Sequence, residues 1–341
     1  MKDDRYEVVG NLVSECKYGE NAWQAPAQLF QTDDEDALAL HRFTLVAGTE
    51  PSYNNLCDID RMLQTITHMR AVLGDLLAVA VKHGNACGAA HDINPGDVIK
   101  KMIWGDPRAI FGGLVMVTFP VDLHIAMTLL RYQMTTGKRV LDGVIAPSFT
   151  PAATELLSRK EGKCRLIENP ALLVLRGSDA LDRNPRFRFV RGGFLRQPNY
   201  TFVLDLLDPR IEHYGRLVLQ QLEDLKLAWA IGCTSNSNTI TLVKDGRLIG
   251  NGVGQQDRVG CCELAIKRAR DAGHEIEGAV AYSDSFFPFP DGPEVLAKAG
   301  IKAILASSGS LRDAVVKETC EKLGVTLLMI PDPIGRGFYN H

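Results

Sequence analysis

No C-x-x-C pair occurs among the eight cysteines of this 341-residue chain, and Cys261 and Cys262 are adjacent, a spacing that suits neither a disulfide framework nor a zinc site. They read as reduced, mostly buried thiols. Positive charge is not in excess: 38 Lys and Arg against 41 Asp and Glu give a formal net charge of -3 with no basic footprint, which argues against nucleic acid as the main partner. No apolar run approaches the length of a bilayer, and the charged opening MKDDRYE has no signal core, so no membrane segment and a cytoplasmic location are expected. Cofactor signatures are missing as well. The chain has no phosphate loop, no H-x-E with C-x-x-C of a zinc deaminase and no G-x-S-x-G elbow. GNGVGQQDR at 250–258 mimics a dinucleotide fingerprint, but Gln255 and Asp257 stand where its third glycine belongs, so a Rossmann site is rejected. What is present is 45% hydrophobic residues, enough for a real core in one large or two medium domains.

From about residue 54 helix and strand patterns alternate. A helix over 54–73 leads into the apolar run 75–81, which is short, partly β-branched and stopped by a glycine turn, the pattern of a buried strand in a parallel sheet. Asn94-Pro95 puts a cap before a first-turn proline and starts another helix. A glycine-broken segment at 111–117, a helix over 121–136 and a strand at 140–146 follow, so βαβ units and a largely parallel sheet are expected. Between 160 and 205 the spacing loosens, and the arginines of RNPRFRFVRGGFLRQ read as a solvated crossover ribbon. The boundary between two α/β halves is placed there, giving residues 1–198 and 199–341. The second half is expected to open with a long helix over 209–232 and then a hairpin, 240–243 with 247–252, turning on Asp245-Gly246. A helix over 258–272 and strands at 278–282, 303–305 and 325–330 complete it. Residues 11–28 read as irregular: a binding surface or lid around Tyr18 and Trp23, or a packed N-terminal arm.

The chemistry gathers at VKHGNACG, 81–88. Lys82 and His83 stand at the end of a strand, and neighbouring strand residues point to opposite faces, so both serve one site only if the backbone turns there. Gly84, Asn85 and Gly88 permit that turn. An ammonium beside an imidazole disfavours the imidazolium, which makes His83 a proton acceptor and Lys82 an electrostatic clamp. The bland alternative is a solvated lysine and a hydrogen-bonded histidine at a strand end. SDSFFPFPDG at 283–292 holds phenyl rings in a proline-stiffened loop that can clamp a flat ring, or can plug its own core. SSGSLRD at 307–313 leaves backbone N–H groups free ahead of a helix for an anionic or amide ligand, and Arg336 can hold a phosphate or be a surface charge. These residues alone support a cofactor-free transfer enzyme or a binding protein for planar, anionic small molecules.

KYGENAWQ (17–24), VKHGNACG (81–88), DPRAIFGG (106–113), SNTITLVKDGRLIGNGVGQQDR (237–258), SDSFFPFPDG (283–292) and SSGSLRD (307–313) occur in the order and approximate spacing of a known family. The chain resembles the AICAR transformylase (phosphoribosylaminoimidazolecarboxamide formyltransferase) domain of the bifunctional purine-biosynthesis enzyme, from about residue 14 to the C-terminus. The resemblance implies an α/β fold of two cytidine-deaminase-like α/β/α halves without zinc. It implies transfer of a formyl group from 10-formyltetrahydrofolate, used as co-substrate without a metal, to the 5-amino group of AICAR. On that resemblance His83 is the proton acceptor, Lys82 stabilises the transition state and Asn238 orients the reacting amine. Lys17, Tyr18, Gly112, Asp142, Arg258, Phe286 and Arg336 match positions that contact AICAR, and Val259, Asp291, Ser310 and Leu311 match positions that contact the folate.

Lys17 departs from the family pattern, which has arginine in an R-Y-G motif; lysine keeps the charge but loses the bidentate fork. The family further implies a homodimer with shared sites. Nothing resembling the IMP cyclohydrolase domain is found, so a single-activity protein and a separate cyclohydrolase in the cell are expected. Two other readings are weighed: a non-catalytic regulatory protein that binds AICAR or folate on this fold, and an enzyme whose formyl donor is formate activated by ATP. Intact Lys82, His83 and Asn238 weigh against the first, and the missing phosphate loop against the second.

Overall fold

The computed structural model describes residues 5–32, 35–174 and 177–339. Twelve strands make one continuous sheet. From one edge the order is Glu212–Tyr214, Thr326–Pro331, Ala303–Ser308, Val280–Ser283, Ile240–Lys244, Arg247–Gly252, Asn85–His91, Leu77–Lys82, Leu114–Val117, Gly143–Ala146, Arg165–Glu168 and Thr44–Ala47. The sheet is mixed, which corrects the expectation of a largely parallel one: only four neighbouring pairs run parallel. The strand Leu77–Lys82 is antiparallel to both neighbours. The reason is the two tight hairpins, since a two-residue turn joins only antiparallel strands.

The order repeats. In each half a hairpin is followed by three strands, and an outer strand that precedes the half's first long helix closes the edge antiparallel. The halves meet antiparallel at a single registered pair, Arg247 with Ala90. One face of the sheet is covered by the helices Tyr53–Val72 and Leu219–Gly232, which share a core with Leu77, Val79, Val81, Tyr282 and Leu305. On the other face, Pro95–Gly105 and Leu123–Arg131 cover the first half and Arg258–Asp271 and Asp291–Lys298 the second, over two separate cores. The result is a three-layer α/β/α body in which the halves share one core.

Local sequence sets these elements. Ser52 and Asn55 form a reciprocal capping box, Asn94 accepts from the Gly96 and Asp97 N–H groups ahead of Pro95, and Asp257 caps Arg258–Asp271 through the Gly260 N–H at 2.6 Å. The long helix expected over 209–232 is shorter: Glu212–Tyr214 is an edge strand and the helix starts at Leu219. Residues 11–28 are not wholly irregular either. Asn11–Cys16 and Ala27–Gln31 pair antiparallel around a loop that carries Lys17 and Tyr18. The arginine-rich segment forms an outlying two-stranded ribbon, Arg186–Val190 with Gly193–Gln197.

Candidate active site

Lys82 ends its strand, and His83 (φ 53°) with Gly84 (φ 70°) makes a two-residue turn into Asn85. Positive φ at both central residues is the hairpin geometry whose twist suits the flanking strands. This turn lets two neighbouring residues serve one place. Lys82 Nζ donates to Phe111 O at 2.9 Å, ahead of Gly112, while the Gly84 N–H donates to the Asp58 carboxylate at 2.6 Å. Burial pushes the Asp58 carboxyl up, and the Gly84 N–H opposes that.

Register puts the expected residues at one end of the sheet. Val81 faces Leu114, and Leu114 lies beside Gly143, so Gly112 and Asp142 sit level with the His83 turn. Beyond the antiparallel junction of the halves, Gly252 pairs with Ile240 and Ile240 with Ser283, which brings Asn238, Arg258 and Phe286 to the same end. Ser308 and Pro331 pair there too, ahead of Ser310, Leu311 and Arg336. Val259 and Asp291 lie in the first turns of helices that start at that end. The loop with Lys17 and Tyr18 reaches it through Asn54, whose side chain donates to Glu20 O at 3.3 Å. That end is the carboxyl end of Leu77–Lys82, the amino end of the first half's parallel strands and the carboxyl end of the second half's.

His83 lines two clefts. The larger, about 960 Å³, lies between the helix Tyr53–Val72, the arginine-rich ribbon and Asn236, with Asp58, Arg61, Arg186 and Tyr339 in its wall. Arg61 donates to Thr234 O at 2.6 Å, and Arg61 and Arg186 lie over the Tyr339 ring at 4.0 and 4.4 Å. The smaller, about 240 Å³, runs over the junction of the halves and is lined by Lys82, Cys87, Asn251 and Arg268. Burial pushes the Cys87 thiol up to about 12, so it stays a thiol there.

Asn238 is held on both sides of its amide: Nδ2 donates to Gln255 O at 2.9 Å and Oδ1 accepts from Arg258 at 2.8 Å. One amide hydrogen and one lone pair remain for a ligand. Arg258 itself turns inward, paired with the fully buried Asp284 and only 10% exposed, so its guanidinium acts first as a brace for Asn238. The phenylalanine-rich loop divides. Phe287 plugs the second-half core, Phe286 is half-buried, and Phe289 stands outside beneath Arg312 at 4.9 Å. Three of the N–H groups expected to be free at 307–313 are taken: Gly309 and Ser310 donate to Asp313 at 2.8 and 3.1 Å, and Arg312 to Ser310 Oγ at 3.1 Å. Leu311 is fully exposed. Lys17 is exposed, 6.0 Å from the Tyr18 ring, and Arg336 pairs with Asp332 at 3.6 Å. Among the described residues no group of three His, Cys, Asp or Glu side chains is placed to hold a metal ion, and no helix is long and apolar enough to cross a membrane.

A sequence model described as the AICARFT/IMPCHase bienzyme matches residues 2–268. The chain belongs to this family. Among curated relatives it is 33% identical over 325 residues to the bifunctional purine biosynthesis protein PurH of Oceanobacillus iheyensis, covering 95% of this chain and 59% of that protein. It is 34% identical over 314 residues to PurH of a Thermoanaerobacter species (92% and 57%) and 35% identical over 289 residues to PurH of Thermotoga maritima (85% and 57%). The chain thus spans somewhat more than half the length of the curated relatives it matches. Among solved structures, a dCMP deaminase of cyanophage S-TIM5 overlaps 31% of this chain and 94% of that one at 18% identity and TM-score 0.25. A diaminohydroxyphosphoribosylaminopyrimidine deaminase/reductase of T. maritima overlaps 28% and 30% at 22% identity and TM-score 0.21. Overlaps so weak carry no argument; the two α/β/α halves rest on the repeated strand order.

Asp58 was missed by sequence reasoning, as were Arg61 and Asn236. A signal for Asp58 exists. K-x-G-x-x-x-G occurs at 82–88 and again at 244–250, and at the second copy the turn N–H groups of Asp245 and Gly246 donate to Asp224 at 3.0 and 2.7 Å.

Proposed function

We propose that this chain transfers the formyl group of 10-formyltetrahydrofolate to the 5-amino group of AICAR, giving FAICAR and tetrahydrofolate. The observation that carries this is the common placement of the family's positions at one end of the sheet, around a turn that presents Lys82 and His83 together. Residues 1–198 supply the turn, Gly112 and Asp142, and residues 199–341 supply Asn238, Phe286 and Arg336.

The AICAR amine is conjugated with its ring and carboxamide, so it is a poor nucleophile and must lose a proton as it attacks. His83 takes that proton, directly or through the carboxamide. As the formyl carbon becomes tetrahedral its oxygen gains charge and the folate nitrogen leaves as an amine. Lys82, which has donors left beyond its bond to Phe111 O, stabilises that charge and gives a proton to the departing nitrogen, and Asn238 holds the attacking amine in line. The enzyme works in the cytoplasm as a homodimer.

Mixing the protein with AICAR and 10-formyltetrahydrofolate should release tetrahydrofolate and FAICAR. His83→Ala should lower turnover ~100- to 10,000-fold while AICAR binding stays measurable. A variant keeping most of the wild-type turnover would remove His83 from the chemistry, and formate plus ATP replacing the folate would assign a different donor.

A further inference from the structure

We propose that Asp58 is a positioning residue for His83: its carboxylate latches the turn that carries the imidazole and so fixes where the base stands. The latch is direct. Asp58 Oδ1 accepts the N–H of Gly84, the residue that follows His83 in the turn, at 2.6 Å. His83 is a non-glycine residue at φ 53°, a conformation that costs about 1–2 kcal/mol and persists only where its surroundings impose it. Asp58 is the sixth residue of a twenty-residue helix that packs on the sheet, so the anchor is a rigid element. The side chains of Asp58 and His83 both face the 960 Å³ cleft.

The molecule contains its own control. Asp224, the sixth residue of the helix Leu219–Gly232, accepts the N–H groups of Asp245 (φ 53°) and Gly246 (φ 72°) in the matching turn of the second half. That turn opens on Lys244, whose Nζ donates to the Glu275 carbonyl as Lys82 does to Phe111. The same latch therefore serves two turns of the same backbone shape, and only the first presents an imidazole. A purely structural carboxylate would act alike at both; a positioning carboxylate matters to chemistry only at Asp58.

The inference rests on the formyl-transfer reading above, and the test separates the two. Asp58→Ala should lower kcat ~10- to 100-fold, the scale of an ångström's misplacement, with KM for AICAR within about threefold of wild type. Asp58→Asn keeps an acceptor oxygen for the Gly84 N–H but loses the charge, and should fall between wild type and Asp58→Ala. Asp224→Asn should lower the unfolding midpoint and leave kcat in place. Alongside, acylation of His83 by diethyl pyrocarbonate, followed by peptide mapping, should change rate in both Asp58 variants and not in Asp224→Asn. An unchanged kcat and His83 acylation rate in both Asp58 variants would overturn the latch, as would an Asp224→Asn loss of kcat equal to theirs. A wild-type protein that formylates no AICAR defeats the formyl-transfer reading instead, and the acylation rates then decide the latch by themselves.

Discussion

His68 shows what burial does to a titrating group that has no part in the site. It lies on the helix Tyr53–Val72 inside the core shared by the halves, its Nδ1 2.7 Å from Gln64 O, its ring stacked on Tyr200 at 5.6 Å and edge-on to Trp229 at 5.7 Å. Burial holds its pKa down to about 4 against an ordinary 6.5. Above pH 6.5 the ring is neutral folded and unfolded, and it changes nothing. As pH falls from 6.5 toward 4 the unfolded chain takes up the proton first, so stability is lost across that window, by roughly 3 kcal/mol in all. Urea unfolding of wild type and His68→Phe at pH 7 and pH 4.5 should show the variant losing less stability on acidification; equal losses would contradict this. The same residue scale explains what sequence left hidden at the site. Lys82 and His83 were legible because strand, turn and chemistry coincide in eight residues. That Arg258 braces Asn238 was not, because its partner Asp284 lies 26 residues away and the pairing exists only once Thr239 and Ser283 lie at the same end of neighbouring strands.

At the scale of elements, the repeated glycines of K-x-G-x-x-x-G do two jobs. The first permits the turn. The second lets a helix lie directly on its strand: a Cβ on Gly88 would stand 2.3 Å from Met102 O, and one on Gly250 would stand 2.3 Å from Ala265 O. Gly88→Ala and Gly250→Ala should each cost ~1–3 kcal/mol, since the backbone carbonyl has no rotamer by which to yield. Gly193→Ala, on the outlying ribbon with nothing within 4 Å, should be close to neutral. Urea midpoints decide it, and three equal midpoints would mean that the helices shift at no cost. The elements were largely legible: the capped helix after Asn94, the hairpin at Asp245-Gly246 and the helix after Asp257 stand within a residue or two of expectation. Sheet direction was not. Alternating helices and strands suggest parallel crossovers, and the tight turn at His83-Gly84, which forces an antiparallel pair, looks in sequence like any glycine-containing strand end.

The whole molecule leaves apolar surface that its own fold does not cover. On the N-terminal arm Val9 is 76% exposed and Leu12 and Phe30 stand out beside it. On the ribbon Phe189 is 76% exposed and shares a face with Phe194 across the strand pair, while Val190 and Leu195 stand on the other face. Tyr6 ties the two, 5.7 Å from Phe187 and 6.2 Å from Phe194, and Phe187 and Phe189 also line the large cleft that His83 faces. Contiguous apolar surface on the rim of a site is where a second copy gains most by docking, because it removes the patch from water and closes the cleft at once. A closed two-fold dimer would present the same patch from both subunits, so the arm and ribbon of each chain would meet those of the other or lie across the other's cleft. Sedimentation at assay concentration should therefore give a dimer. Val9→Asp with Phe194→Asp should shift it toward monomer and lower turnover, although neither residue lines that cleft. A wild-type protein that sediments as an active monomer would overturn the dimer, and a double variant that stays dimeric would move its interface away from the ribbon.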